Sequence, residues 1–428
     1  IRFLIEKFNV EEIFIAIPSA SRMRRQEIIK KLEPYGLLVK TLPGFTELAE
    51  GKISINDLRQ VSIKDLLGRD AVKIKKSLVD LNIAGKVVLI TGSGGSIGSE
   101  LSRQIIDLKP RALILFEINE LALYSIEKEL SNLPLNSVKI YPILGNIINK
   151  DRLIKIFKHF KVEIIYHAAA YKHVPMVEFN NVEGVENNIF GTLSCAQAAI
   201  DSGVETFVLI STDKAVRPTN TMGATKRTAE MILQALAKKQ ITTKFTMVRF
   251  GNVLDSSGSV IPLFTKQIKE GGPITVTDEK IIRYFMMISE AIELVIQSGT
   301  MSKGGDVFVL DMGEPVKIND LAEKMIRLSG LKVRNKLNPS GDIEIKYIGL
   351  RPGEKLYEEL LIGDNVSKTD NPRIMRAKEN MTPWDELELI LKDLSSAVDD
   401  YDQERIRNLL IKLVPEFKPQ KKISDLLY

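Results

Sequence analysis

"KVVLITGSGGSIGSEL", residues 86–101, runs from an apolar, β-branched stretch through a glycine-rich turn into the start of an amphipathic pattern. The first part has strand length and composition, and the last part has helical spacing. Between them Gly92, Gly95 and Gly98 stand at three-residue intervals. A turn of this kind lets the backbone approach a pyrophosphate, with Ser96 and Ile97 opening a helix whose N–H groups face the negative charge. A glycine trio alone is weak evidence. The strand before it and the helix after it make this stretch an expected dinucleotide site.

Strand and helix patterns alternate outward from that turn. "ALILFE", "VKIYPIL", "VEIIYHAAA", "TFVLIST" and "KFTMVRF" follow as strand candidates, with helical segments between them. This order predicts an α/β fold: a doubly wound parallel Rossmann sheet over residues 86–250. Past Arg249 the regularity breaks, and residues 251–380 are expected to form mainly a smaller substrate lobe. Residues 381–428 read as two amphipathic helices packed on the body. Upstream, "EEIFIAIP", "SRMRRQEIIKKLEPYG" and "LLVKTLP" predict a strand, a helix and a strand in an extra N-terminal α/β segment, residues 1–67. No glycine-rich turn follows that first strand, so a structural role is expected there. Residues 68–85 are a polar linker.

Bulk properties narrow the class. The chain has 428 residues, 44% hydrophobic and 27% charged, as in ordinary globular proteins. A formal charge of +5 is small for this length and gives no reason to expect nucleic acid. The single cysteine, Cys195, excludes an internal disulfide and suits a reducing compartment. His159, His167 and His173 show no metal-ligand spacing, so no metal site is expected. No run of eighteen apolar residues occurs. The chain opens at Ile1 inside a helix-like pattern, so a fragment or a processed product is expected.

The cofactor reading extends along the strand ends. Glu117 closes the second strand, where a carboxylate accepts hydrogen bonds from ribose hydroxyls and repels a 2′-phosphate, favouring NAD over NADP. Asn146 and Ile147 follow the third strand and would flank the adenine. Ala168, Ala169 and Ala170 follow the fourth and are small enough for a cofactor to lie close. "STDKAVRPTNTMGATKR", residues 211–227, then falls at the carboxyl end of the next strand, where open α/β sheets bind ligands. Met222 and Lys226 sit one helical turn apart on one face. Nicotinamide-dependent sugar enzymes carry tyrosine where this chain has Met222.

The segments "TGSGGSIGSE", "HAAAYKHVPMVE", "NNIFGT", "STDKAVRPTNTMGATKR", "FGNVLDSSGSVIPLF", "RYFMMISEA" and "RPGEKLYEEL" occur in this order. Over about residues 80–365 the chain resembles the UDP-N-acetylglucosamine 4,6-dehydratases, members of the extended short-chain dehydrogenase/reductases. Methionine at the tyrosine position and the extra α/β segment resemble the long, membrane-anchored bacterial branch. That resemblance implies membrane helices in a missing N-terminal region, the cytoplasmic face of the inner membrane, a homo-oligomer, and sugars made for bacterial glycans or glycoproteins. Asp255 in place of glycine, Tyr171 in place of leucine and the wording "DEKIIRYF" depart from the usual pattern, and none removes a group the chemistry needs.

The implied reaction oxidises C4 of the sugar, eliminates water across C5 and C6, and returns the hydride to C6. NAD ends as it began, so it can stay tightly bound and be recycled. Lys214 is the candidate base for the C5 proton and Asp213 the candidate acid for the C6 hydroxyl. A lysine free in water holds its proton to about pH 10.4, so the site must neutralise it, while Asp213 must keep a proton. Thioether sulfur cannot take the C4 hydroxyl proton. Thr212 can hydrogen-bond that hydroxyl, and the acceptor of its proton stays open. Lys226 keeps the nicotinamide ribose. For UDP-N-acetylglucosamine, Arg283 and Arg351 are phosphate partners, Glu354 a uridine ribose acceptor, Asn252 and Val260 neighbours of the diphosphate and uracil, and Lys172 and His173 neighbours of the sugar. The methionine branch implies retention at C5. A nucleotide-sugar 4-epimerase or reductase is the nearest rival, and a catalytically silent NAD-binding scaffold the rival of another class.

Overall fold

A computed structural model describes residues 1–17, 19–41, 59–60, 82–133, 138–254, 256, 258–359 and 366–428. Asp255 and most of the linker lie outside the described residues. The chain divides into two compact units. One gathers Ile74–Asn252, Ile288–Gly313 and Arg351–Tyr428. The other gathers Ile1–Lys73, Val253–Met287 and Glu314–Leu350.

The first unit is built on a nine-stranded sheet. In spatial order its strands are Lys139–Leu144, Ala112–Glu117, Val87–Thr91, Ile164–His167, Thr206–Ile210, Lys244–Arg249, Asp306–Leu310, Ile374–Ala377 and Val366–Lys368. The first seven run parallel, Ile374–Ala377 runs against them, and Val366–Lys368 pairs antiparallel with it. Val87–Thr91 and Ala112–Glu117 are buried at every residue, because helices cover both faces of a parallel sheet. Their runs are therefore continuously apolar rather than alternating. From Val87–Thr91 the chain first builds outward on one side and then returns to Ile164–His167 on the other. At that reversal the loops leaving two neighbouring strand ends diverge and leave a crevice. The expected doubly wound Rossmann sheet is present.

Helix Thr221–Lys239 is buried on all sides over residues 221–236. Two helices near the C-terminus, Trp384–Asp399 and Gln403–Leu413, pack on it, and Leu387, Leu391, Leu394, Leu410 and Leu413 join the sheet's core. An all-round buried helix needs such cover. Cys195 is buried in the same core, which raises its thiol well above the ordinary range and leaves it inert.

In the second unit, strands Glu12–Ile15 and Leu38–Thr41 pair in parallel with helix Arg22–Leu32 between them. Ile15, Ile29, Leu32 and Val39 close on Leu328, at the end of helix Ile318–Leu328, and Arg327 reaches Glu33 at 3.2 Å. A second cluster joins Phe264, Ile274, Phe285, Leu321 and Ile326. Among the described residues no helix is long and apolar enough to cross a membrane, and no group of side chains fits a metal ion.

Candidate active site

The glycine turn is shaped by contacts that exclude side chains. Gly92 has φ of +67°, and a Cβ there would lie 2.7 Å from the amide nitrogen of Ala169. A Cβ on Gly98 would lie 2.0 Å from the Gly92 carbonyl oxygen. Helix Ser96–Asp107 starts from Gly95 with no side-chain cap, so the positive end of its dipole lies at the glycine turn. Ser93 Oγ is buried in the turn without a hydrogen-bond partner. An orphaned hydroxyl beside an uncapped helix start fits a bound phosphate group.

Glu117 has a second task that sequence did not reveal. Its Oε2 accepts from the Gly94 amide at 3.0 Å, and its Oε1 accepts from the Ile118 and Asn119 amides at 3.0 Å each. The carboxylate thus braces the turn. A carboxylate offers about four lone-pair sites, so capacity for a ribose hydroxyl is left. Asn146 is exposed, and its Oδ1 accepts from the Ile148 amide at 3.0 Å. Ile147 is buried against Gly191, where a Cβ would lie 2.6 Å from its Cδ1. Ala168 and Ala169 are tied to Thr91, at 3.1 Å from the Ala168 amide to the Thr91 carbonyl and 3.3 Å from the Ala169 amide to its Oγ1. Ala170 is half-buried beside them.

Two polar residues to which sequence assigned no role in the site hold these loops together. His167 meets Thr91 Oγ1 at 2.8 Å and Thr192 Oγ1 at 3.1 Å. Burial first, and the nearby Lys226 second, push it down to about 3, so it stays neutral. Asn188, in the irregular helical turn Glu186–Phe190, accepts from the Tyr171 amide at 2.8 Å. It donates to the Tyr171 carbonyl at 3.0 Å and to Thr225 Oγ1 at 3.1 Å. Both lie in quoted segments, "HAAAYKH" and "NNIFGT", but neither sequence position announces its partners.

The strand Thr206–Ile210 delivers the reactive cluster. The Ser211 amide donates to the Val248 carbonyl at 2.8 Å, and the Asp213 amide to the Phe250 carbonyl at 3.1 Å. Thr212 then caps a single tight turn over Asp213–Ala215, accepting from the Lys214 amide at 3.3 Å. Its Oγ1 donates to Asp213 Oδ1 at 2.9 Å. Lys214 Nζ lies 3.0 Å from the same Oδ1 and 3.4 Å from Asn252 Oδ1. Asp213 is only 2% exposed. Three side chains consecutive in sequence thus converge on one point.

Helix Thr221–Lys239 crosses this turn closely: a Cβ on Gly223 would lie 2.2 Å from the Lys214 carbonyl oxygen. Asn220 caps it, accepting from the Gly223 amide at 2.7 Å. Met222 and Lys226 are both buried on it. Burial lowers the Lys226 ammonium to about 8, against the opposing pull of Glu230. Glu230 accepts from Ser211 Oγ at 2.6 Å, from Arg249 Nε at 2.8 Å and from Arg227 at 3.1 Å. Burial pushes its carboxyl up, but the two arginines and Ser211 win, and it is held below the usual range.

On the substrate side, Lys172 and His173 are exposed after the fourth strand. Partial burial lowers His173, then the positive charges of Lys172 and Arg351, which brings these three into one neighbourhood. Arg351 donates through its amide and Nε to Glu354 Oε2 at 3.2 and 3.4 Å. Glu354, expected to face a ribose, is therefore engaged by its own neighbour here. Val260 and Arg283 belong to the other unit. Val260 opens helix Val260–Lys269, and Arg283 is buried in strand Ile282–Met286 with its guanidinium donating to the Ile282 carbonyl at 2.8 Å. Sequence reasoning also missed Glu358, whose Oε1 lies 3.5 Å from Lys214 Nζ.

Comparison with known proteins places the chain in a family. Residues 88–379 match the family model described as polysaccharide biosynthesis protein. The chain belongs to that family. The chain is 45% identical over 404 residues to the capsular polysaccharide biosynthesis protein CapD of Staphylococcus aureus, covering 94% of this chain and 66% of that one. It is 31% identical over 291 residues to a UDP-N-acetylglucosamine 4,6-dehydratase (inverting) of Campylobacter jejuni, covering 67% of this chain and 80% of that one. A relative named UDP-glucose 4-epimerase, from Rickettsia rickettsii, matches at 32%. The solved structure of Pen from Bacillus thuringiensis shares 36% identity with a TM-score of 0.62, covering 72% of this chain and 98% of that chain. The chain spans 66% and 64% of the length of the first two curated relatives it matches. At this level it is similar to extended short-chain dehydrogenase/reductases of the nucleotide-sugar dehydratase and epimerase kind.

Proposed function

We propose that this polysaccharide biosynthesis protein converts UDP-N-acetylglucosamine to the UDP-4-keto-6-deoxy sugar. The observation that carries the reading is the convergence of Thr212, Asp213 and Lys214 within hydrogen-bond reach at one strand end. A 4-epimerase needs no such elimination pair.

NAD, when bound by Gly92, Gly95, Gly98, Glu117 and Lys226, supplies a hydride acceptor for C4 and a hydride donor for C6. The protein's part is to hold the sugar and to move protons. Thr212 Oγ1 meets the C4 hydroxyl, and its 2.9 Å bond to Asp213 offers the route that Met222 cannot. In place of the standing proton expected on Asp213 from sequence, the C4 hydroxyl proton passes through Thr212 to the Asp213 carboxylate. Asp213 then gives it to the C6 hydroxyl, which leaves as water. The Lys214 amine takes the C5 proton and returns it to C5 as the hydride reaches C6. Each side chain ends as it began, and the sugar has lost one water. Returning the proton from the same amine is the simplest account of retention at C5. Arg351, with Lys172 and His173 beside it, offers positive charge for the diphosphate.

The reading predicts a product that lacks one water. The chain is incubated with UDP-N-acetylglucosamine and NAD in deuterated water, and the nucleotide sugar is weighed by mass spectrometry. Loss of water with one deuterium gained at C5 supports the dehydratase. The epimerase reading, favoured by the relative named for that activity, predicts a product of unchanged mass instead. An inert sugar would sink both.

A further inference from the structure

We propose that Glu358 is a positioning residue for Lys214, tying its amine to the segment that carries Arg351. The inference rests on the dehydratase reading for its catalytic meaning, but the pairing itself is a property of the folded chain.

The contact is well sheltered: at 3.5 Å, the Lys214 and Glu358 side chains are 17% and 4% exposed. A pair with so little water around it is weakly screened. The segment that delivers Glu358 over residues 351–359 has no helix or strand of its own. It is instead fastened to the catalytic turn at several points. Asn220 Nδ2 donates to the Gly353 carbonyl at 3.0 Å, so the residue that caps the catalytic helix also holds this segment. Lys355 Nζ donates to the Val216 and Arg217 carbonyls at 3.3 and 2.8 Å, and Arg217 pairs with Glu359 at 3.1 Å. Gly353 has φ of +73°, and a Cβ there would lie 2.7 Å from the Asn220 Cβ. The segment therefore has one seating, and Glu358 one reach.

Charge and geometry assign the role. Asp213 and Glu358 both face the Lys214 amine among the described residues, with the neutral Asn252 as a third neighbour. Lys355 and Glu359 turn to Val216, Arg217 and each other instead. Asp213 must turn toward the C6 hydroxyl during the reaction, so it cannot be the sole anchor of the amine. Glu358 can, because it comes from a different part of the chain. The same segment presents Arg351, so an arriving diphosphate and the elimination base are gripped by one fastened piece.

Two substitutions separate holding from charge. Glu358→Gln keeps an oxygen for the amine and removes the negative charge, so Lys214 gives up its proton at lower pH. Glu358→Ala removes both. The full chain is assayed for kcat and KM against pH with UDP-N-acetylglucosamine. Separately, the Lys214 side chain is titrated by NMR in chain labelled at the lysine ε-carbon. In Glu358→Ala, kcat is expected to fall about 100-fold, as for a misplaced catalytic group. KM is expected to stay within about threefold, since binding of the ground state is untouched. In Glu358→Gln, kcat is expected to be largely kept, with both the rising limb of the pH profile and the Lys214 titration moved to lower pH. A purely structural role would lower stability and move neither. An unmoved Lys214 titration in Glu358→Gln overturns the proposal, and this variant decides if Glu358→Ala does not fold. A wild-type chain inert toward the sugar, with the Lys214 titration still moving, would support the pairing and sink the dehydratase reading.

Discussion

In the proposed reaction Met222 offers no proton acceptor, and the hydroxyl of Thr212, bonded to Asp213, is where the replacement route would begin. Thr212→Val keeps the shape and deletes the link to Asp213, so kcat is expected to fall by about 10² to 10⁴, the range for losing a positioned proton-transfer group. Steady-state rates on the purified variant check this, and a rate within twofold of wild type would move the C4 proton elsewhere. Lys214→Ala is expected to abolish deuterium uptake at C5, read by mass spectrometry; persistent uptake would name another base. The clustering of Thr212, Asp213 and Lys214 could be read from sequence because they are adjacent, and a strand end brings neighbours together. Glu358 could not be, since its contact with Lys214 depends on how a segment without regular structure is seated. Glu117 was assigned toward a ligand, and its bonds to three backbone amides were invisible, because amide directions are set by the turn and not by residue type.

Strands and helices divide the same way. Val87–Thr91 and Thr206–Ile210 announced themselves because strands covered on both faces are continuous apolar runs. The antiparallel strands Val366–Lys368 and Ile374–Ala377 did not, being short, half-buried at most positions, and carrying lysine and arginine. The strand Asp306–Leu310 pairs directly with Lys244–Arg249 although the two are far apart in sequence, a pairing that no local pattern reports. At the element scale, the glycine turn makes a sharp prediction. Gly98→Ala forces a Cβ to within 2.0 Å of the Gly92 carbonyl oxygen, so the turn must open. NAD affinity, measured by calorimetry, is expected to drop at least about tenfold, or roughly 1.4 kcal/mol; unchanged affinity would remove the turn from the cofactor site. Glu230 joins helix Thr221–Lys239 to Ser211 and Arg249, so Glu230→Ala leaves the buried Arg249 with Glu379 as its remaining carboxylate partner. It is expected to cost about 3–5 kcal/mol in urea unfolding.

Over the whole molecule, the site sets a pH dependence of stability with a definite sign. The Lys226 ammonium has an ordinary value of 10.5 and is lowered to about 8 by burial. Between those values the unfolded chain holds a proton that the folded chain has released, so stability rises with pH across that window. Below about 8 both states are protonated, and the full penalty of a buried ammonium is present. His167 repeats this sign lower down, since it falls from 6.5 to about 3 and the folded state resists its protonation throughout that range. Lys226→Met removes the first penalty while preserving an unbranched chain in the same buried space. The nucleotide-free variant is therefore expected to be more stable than wild type at pH 7, by on the order of 1–3 kcal/mol. That advantage should shrink by pH 10, where wild-type Lys226 is neutral in the folded state. Activity should be lost, as expected where a functional group is held at a cost in stability. Thermal unfolding at the two pH values decides the matter. A variant less stable than wild type at pH 7 would mean that the Lys226 ammonium is stabilised in the folded chain, and that its burial is offset by partners beyond Glu230.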